Sequence, residues 1–270
     1  MLYGRTAVRV GLRGGPPRLA RALPGEDRLV FVVGCPRSGT TFTGGALGEQ
    51  PGWVDLGEIP VLKGAVPELV ALPAEEQARR VRRIVQRVRT LAGVRGLRGV
   101  EQNPETTFVL GAALKAFPLA HGVHVVRDGR DVACSLLERG WLRSGRAGRD
   151  DAGQAYGHHA RFWVEPERRE EFAAASEARR AAWAWRRYVT AARAVSGRTL
   201  ELRYESLVAD PAGEADRVAG ALDGDRDALR AAFGRVHGES VGRWQQDLTP
   251  EQLADVEAEA GDLLAALGYG

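Results

Sequence analysis

The string Gly34-Cys-Pro-Arg-Ser-Gly39-Thr40-Thr41 is the first place in this chain where residue types and spacing promise chemistry. It follows an apolar run, Leu29–Val33, and leads into a helical pattern. In such a strand–turn–helix, backbone N–H groups and the helix N-terminus converge on an anion, so the expected ligand is a phosphate. The spacing Gly34-x4-Gly39 matches a Walker A loop, but Thr40 stands where that loop has its lysine, and Arg37 is the loop's cation instead. Ordinary ATP or GTP hydrolysis is disfavoured. A second anion site is carried by His124-Val-Val-Arg127-Asp-Gly-Arg-Asp131-Val-Ala-Cys-Ser135. A strand end offers Arg127 as a charged fork, and the next helix offers Ser135 as a neutral donor. About ninety residues separate Arg127 from Arg37. Two anion sites at two strand-to-helix turns mean one ligand with two separated phosphates.

Four apolar runs must position these groups: Leu29–Val33, Leu97–Val100, Gly122–Val126 and Thr199–Arg203. Continuous runs of this length suit strands buried on both faces of a parallel sheet. With helical patterns between them, the expected class is α/β, a P-loop-type three-layer fold whose mainly parallel central sheet is flanked by helices. Glu75–Leu91 puts Val81, Ile84, Val85 and Val88 on one face. Its other face carries Arg79, Arg80, Arg82, Arg83, Arg87 and Arg89 and reads as solvated. Glu170–Val189 is expected to be helical, with Trp183, Trp185 and Tyr188 as packing residues. Thr249-Pro-Glu-Gln252 reads as a capping box. It opens a helix with Leu253, Val256, Ala260, Leu263, Leu264 and Leu267 in one stripe, stopped by Gly268. Residues 1–27 hold five arginines and no acid before Glu26, and are expected to be a poorly ordered basic N-terminal arm. Residues 28–270 are expected to form one domain, in which the loop-rich stretch 140–166 serves as a lid or acceptor-binding segment.

Composition narrows the function classes. With 44% apolar and 27% charged residues the chain is neither disordered nor fibrous. No apolar run approaches the ~18 residues of a membrane span, and no signal-peptide core follows the start. Cys35 and Cys134 are too few for a disulfide framework or a cysteine-based zinc site, which points to a reducing, cytoplasmic setting. A net charge of +3 gives no electrostatic case for nucleic acid. Lys63 and Lys115 are the only lysines.

Pro36-Arg-Ser-Gly-Thr-Thr41 resembles the 5′-phosphosulfate loop of sulfotransferases that use 3′-phosphoadenylyl sulfate (PAPS), above all the branch of tyrosylprotein, carbohydrate and many bacterial sulfotransferases. Arg127 with Ser135 resembles that family's 3′-phosphate site. The resemblance runs over residues 28–268 and implies cofactor contacts from Pro36, Arg37, Ser38, Gly39, Thr40, Thr41, Arg127, Ser135 and Arg139. Leu202-Arg-Tyr204-Glu-Ser-Leu-Val-Ala-Asp-Pro211 resembles the strand and loop whose tyrosine lies by the adenine, so Tyr204 is either stacked there or a plain half-buried strand tyrosine. Ser240-Val-Gly242-Arg243-Trp244 resembles the loop that closes over the cofactor, although His237-Gly238-Glu239 stands where cytosolic relatives have Arg-Lys-Gly.

The same resemblance implies PAPS as donor, adenosine 3′,5′-bisphosphate (PAP) as product, and no required metal. The acceptor is expected to be a hydroxyl of a small molecule, sugar or natural product. Catalysis then needs a cation at the phosphosulfate bridge, for which Arg37 is placed, and a base for the acceptor proton. Of the five histidines, His121 and His124 flank a buried strand and read as core. His158 and His159 lie in the lid segment, and His237 lies near the late loop. The favoured base is Glu58 in Asp55-Leu-Gly-Glu58-Ile-Pro60, because it follows Arg37 by the spacing at which the tyrosylprotein-type branch has its glutamate. Glu101-Gln102-Asn-Pro104 resembles a segment that usually has lysine at Gln102. Gln102 keeps a donor without the charge, which leaves Arg37 the larger share of the work. The rival readings are a divergent P-loop kinase acting on a small molecule and an inactive nucleotide-binding module.

Overall fold

The computed structural model describes residues 2–13, 25–142, 162 and 164–270. Its strands are β1 (Val30–Val33), β2 (Trp53–Gly57), β3 (Arg98–Glu101), β4 (His121–Val126) and β5 (Thr199–Arg203). Among the described residues they form one five-stranded sheet in the order β2-β3-β1-β4-β5, and every neighbouring pair is parallel. The helices of the first half are α1 (Leu2–Arg13), α2 (Thr40–Gly48), α3 (Pro60–Leu69), α4 (Ala74–Leu91) and α5 (Leu110–Ala116). After β4 come α6 (Gly129–Arg139), α7 (Arg169–Ala174) and α8 (Glu177–Arg193). The chain ends with α9 (Tyr204–Ala209), α10 (Pro211–Leu222), α11 (Arg226–Phe233), α12 (Trp244–Asp247) and α13 (Pro250–Ala266).

Strand β1 lies in the centre and is buried on both faces, as its unbroken apolar run requires. Phe31 and Val33 pack with Leu62 and Val66 of α3 and with Val81, Val85 and Val88 of α4. Val30 and Val32 point the other way, toward Leu47 of α2 and toward Val218 and Leu222 of α10. Successive side chains of a strand alternate, so four consecutive apolar residues serve two layers at once. Full burial of each contributes roughly 1.5–3 kcal/mol before conformational entropy is counted. A third cluster gathers α6, α8 and α13 around the fully buried Trp185. The capping box of α13 is present as expected, with the Thr249 side chain accepting from Gln252 N and Gln252 accepting from Thr249 N.

Four differences from the sequence expectation have physical causes. Strand β2 was not anticipated, because its Trp53-Val-Asp-Leu-Gly57 is not a continuous apolar run like that of β1. It is the edge strand beyond β3, and its Trp53 and Asp55 are only half buried. Residues 2–13 are not a disordered arm but the amphipathic α1, which buries Ala7 and Val10 against the core. Arg13 pairs with Asp55 at 2.8 Å and Arg9 donates to the Glu58 carbonyl at 2.9 Å. Arg89 does not belong to the solvated face of α4. It is fully buried, and its guanidinium donates to the carbonyls of Glu26, Arg95 and Leu97. The helix expected over 170–189 is two helices, broken at Ser176, whose side chain caps α8 by accepting from Arg179 N. Most of the expected lid, including His158 and His159, lies outside the described residues.

Candidate active site

Because all five strands are parallel, their C-terminal ends share one edge of the sheet, where α/β folds bind ligands. Each end delivers a residue singled out by sequence. Running along the edge, β2 is followed by Glu58, β3 by Gln102, β1 by the phosphate loop, β4 by Arg127, and β5 by Tyr204. The loop is therefore central, with the carboxylate side on one flank and the arginine–tyrosine side on the other.

The loop backbone is shaped for an anion. Gly34, Arg37 and Gly39 all have positive φ, at 144°, 76° and 100°. A side chain at Gly34 would put its Cβ 2.4 Å from the Val125 carbonyl oxygen, and one at Gly39 would meet the Tyr204 ring at 2.6 Å. Only glycine fits either place. Arg37 has no such freedom, and a left-handed arginine costs about 1–3 kcal/mol, which the surrounding loop must over-determine. Its reward is a concave run of N–H groups at the start of α2, the geometry of an anion nest. The Ser38 hydroxyl is buried there without a hydrogen-bond partner.

The phosphate-loop string and the Arg127–Ser135 string, far apart in sequence, meet in space. Arg37 Nε donates to Ser135 Oγ at 2.9 Å, and Arg127 Nη1 lies 3.4 Å from the Arg37 carbonyl oxygen. The Arg127 guanidinium stacks 4.8 Å from the centre of the Tyr204 ring and donates to the Ser240 carbonyl. Its Nε is buried with no partner. Tyr204 is buried and donates its hydroxyl to the His237 carbonyl at 2.7 Å. Its ring is thus held between the loop glycine and Arg127. Two residues that sequence reasoning did not place at the site complete this flank. Asp131, one helical turn after Arg127, accepts from Gly242 N at 2.8 Å and Trp244 N at 3.1 Å. It pins the late loop to α6. Trp185 donates its indole N–H to the Arg127 carbonyl at 2.9 Å, which makes it an anchor as well as packing. Arg243 is held by Glu138 and Asp247, which raise its pKa, and Arg139 sits exposed at the end of α6.

On the other flank, a bulge between Asp55 and Gly57 turns the chain out of β2, with Gly57 N donating to Asp55 Oδ1 at 2.7 Å. Bulges re-aim the residue that follows them, here Glu58. The Glu58 carboxylate takes a 2.7 Å ion pair from Lys63 Nζ, and Lys63 also lies 3.7 Å from Glu105. Sequence spacing placed Lys63 nowhere near the chemistry; α3 folds back and brings it there. Lys115, the other lysine, pairs with Glu75. Neither lysine supplies a Walker cation to the loop. Gln102 is buried against α2, its Cβ 2.6 Å from where a side chain on Gly44 would begin, and its amide oxygen is without a partner. Both side-chain polar atoms of the buried Asn103 are likewise unpartnered.

Of the two histidines that read as core, His124 is buried and His121, at the start of β4, is only half buried. His124 Nδ1 lies 3.4 Å from Glu201, and burial lowers the pKa of His121. Glu101 carries a testable signature. Burial, with Glu58 and Glu105 adding, pushes its carboxyl well above the usual range. As pH rises past ~4.3, the unfolded chain sheds this proton while the folded chain keeps it, so stability declines. Glu101→Gln removes that decline. Its melting temperature should match wild type near pH 4 and exceed it by ~2–4 °C at pH 8 in calorimetry. Equal differences at both pH values would contradict the assignment.

A family model described as "Sulfotransferase family" matches residues 70–227, more than half of the chain. This chain belongs to the sulfotransferase family. The matched stretch begins after the phosphate loop and Glu58, so those two rest on the geometry above. No curated protein matches this sulfotransferase in sequence. Three solved structures share its fold. Sulfotransferase STF9 from Mycobacterium avium is 15% identical, with a TM-score of 0.52 over 92% of this chain and 78% of that one. The sulfotransferase domain from the curacin biosynthetic pathway is 14% identical, with a TM-score of 0.53 over 89% and 98%. Mouse sulfotransferase SULT7A1, complexed with PAP, is 13% identical, with a TM-score of 0.51 over 92% and 88%. Among the described residues, no helix of this sulfotransferase is long and apolar enough to cross a membrane.

Proposed function

We propose that this sulfotransferase uses PAPS as donor and transfers the sulfuryl group to a hydroxyl of a small molecule, sugar or natural product. The observation that carries the reading is the Arg37–Ser135 hydrogen bond, which joins the phosphate loop to the second anion site across the sheet edge. A nucleotide with phosphates at both its 5′ and 3′ positions needs those two sites side by side, and a nucleoside triphosphate does not. The residues present fit such a donor. The buried Ser38 hydroxyl and the Arg127 Nε are both donors without a hydrogen-bond partner, and the loop around Ser38 has left-handed backbone at Arg37 and Gly39. The PAP bound by mouse SULT7A1 is in keeping with this choice.

When bound, the donor supplies an SO3 group whose in-line transfer breaks one S–O bond and forms another. Loop N–H groups and Thr40 and Thr41 hold the 5′ side, while Arg127 and Ser135 hold the 3′-phosphate. Arg139, Ser240, Gly242 and Arg243 would help to hold the nucleotide, and Tyr204, beside the loop and Arg127, would contribute an aromatic contact to its base. Arg37 stabilises negative charge at the bridging oxygen, a role worth ~10²–10³ in rate for a well-aimed donor. Glu58 accepts the proton of the acceptor hydroxyl. Gln102 faces this region as a neutral donor. Restoring the charge with Gln102→Lys should raise kcat by less than ~10-fold with little change in acceptor KM. A large rise in that KM at constant kcat would assign Gln102 to acceptor recognition instead. The function itself is tested by incubating the protein with PAPS and a panel of phenols, alcohols and sugars. Mass spectrometry should find a product heavier by one SO3 together with PAP. PAP-free, ATP-dependent products would overturn the reading.

A further inference from the structure

We infer that Lys63 is the positioning residue for the Glu58 carboxylate, with Glu105 as its second counter-ion; this rests on Glu58 being the base. The Lys63 side chain is 8% exposed and its ammonium bridges two carboxylates, Glu58 at 2.7 Å and Glu105 at 3.7 Å. An ammonium at that depth is costly unless paired, and an apolar residue would fill the space at less cost. The chain writes nearly every cation as arginine yet has lysine here. A compact point charge fits between two carboxylates where a planar fork does not.

The surroundings make the pair rigid. Glu105 is itself buried and accepts from the Tyr188 hydroxyl at 3.3 Å. Burial and the nearby Glu105 charge push the Tyr188 pKa well up, so this hydroxyl stays a donor. Tyr188 sits on α8, Glu105 follows β3, Lys63 is on α3 and Glu58 follows β2, so four elements meet in one line of polar contacts. The Glu58 main chain is fixed separately, by Arg9 of α1 on its carbonyl oxygen. Glu101 of β3 also faces this group, and burial, with the charges of Glu58 and Glu105, raises its pKa.

This arrangement does something a single ion pair cannot. While Glu58 is ionised, Lys63 orients it through the 2.7 Å contact. Once Glu58 has taken the acceptor's proton, Lys63 still has Glu105, and no buried cation is left unpaired. The proton then leaves Glu58 for solvent. Lys63 thereby stabilises Glu58 before proton uptake, and Glu105 limits the loss afterwards.

The two partners predict opposite shifts. Removing the ammonium in Lys63→Met should move the acid limb of the pH–rate profile upward by ~1–2 pH units. Removing the competing carboxylate in Glu105→Gln gives Lys63 wholly to Glu58 and should move the limb downward. The assay is turnover of PAPS alone, with water as acceptor, followed as PAP release between pH 5 and 9. PAP affinity serves as the check on folding. Lys63→Arg should return the limb part of the way. Opposite shifts in the two variants support the inference, and Glu105→Gln alone decides it if Lys63→Met does not fold. Should Glu58→Gln abolish the acid limb while neither variant moves it, the positioning role is wrong and the base stands. Should Glu58→Gln keep both rate and limb, the base assignment itself is wrong.

Discussion

Glu58→Gln should lower kcat by ~10²–10⁴ while leaving PAP affinity within about twofold of wild type. The substitution keeps the shape of the side chain and an oxygen able to accept from Lys63, so the fold around β2 and α3 should survive. What it removes is the proposed proton acceptor. Because two strands, β3 and β1, lie between the Glu58 end and the Arg127 end of the sheet edge, donor binding has no reason to change. The measurement is a pair of experiments on one variant, turnover with the best acceptor of the panel and calorimetry with PAP. Activity within a few-fold of wild type would move the base elsewhere, to His158 or His159 in the first instance.

Arg127→Ala is the second large effect. Loss of one charged hydrogen bond to the 3′-phosphate costs ~1.5–3 kcal/mol, or roughly 10- to 100-fold in PAP affinity. ATP, which has no 3′-phosphate, should bind the variant and the wild type alike. The guanidinium also touches Asp131 at 3.5 Å and the Ser240 carbonyl, so some loosening of the late loop is expected. Asp131 still holds that loop through Gly242 N and Trp244 N, which keeps the loss specific. Equal weakening of PAP and ATP would count against a dedicated 3′-phosphate site.

The parts of the fold visible in sequence are those whose burial is two-sided or whose spacing is local. Strands β1, β3 and β4 are fully buried at the sheet centre or beside it, whereas β5 is the other edge, only half buried except at Leu202, and is marked by the alternation of Leu200 and Leu202. The capping box of α13 needs only four neighbouring residues. The phosphate loop and Arg127–Ser135 are local strings as well. Strand β2 escaped because an edge strand tolerates Asp55 and a half-exposed Trp53. Helix α1 escaped because its arginines look like a basic leader until Asp55 and the Glu58 carbonyl are seen to receive them. Arg89 shares its helix with solvated arginines, and only the three carbonyls around it explain its burial. Lys63 and Glu105 are joined by tertiary folding alone, since nothing in a 42-residue separation marks them as partners. Asp131 was the recoverable miss. It follows Arg127 at one helical turn, a spacing that pairs side chains on one face.

The account rests on one claim, that a single nucleotide with separate 5′ and 3′ phosphates occupies the loop and the Arg127–Ser135 site together. Titration calorimetry of the wild-type protein with PAP, and in parallel with ATP and magnesium, tests it most directly. PAP should bind one to one and at least about tenfold more tightly than ATP, the gain expected from one charged 3′-phosphate contact. ATP binding as tightly as PAP, or more tightly, would contradict the claim.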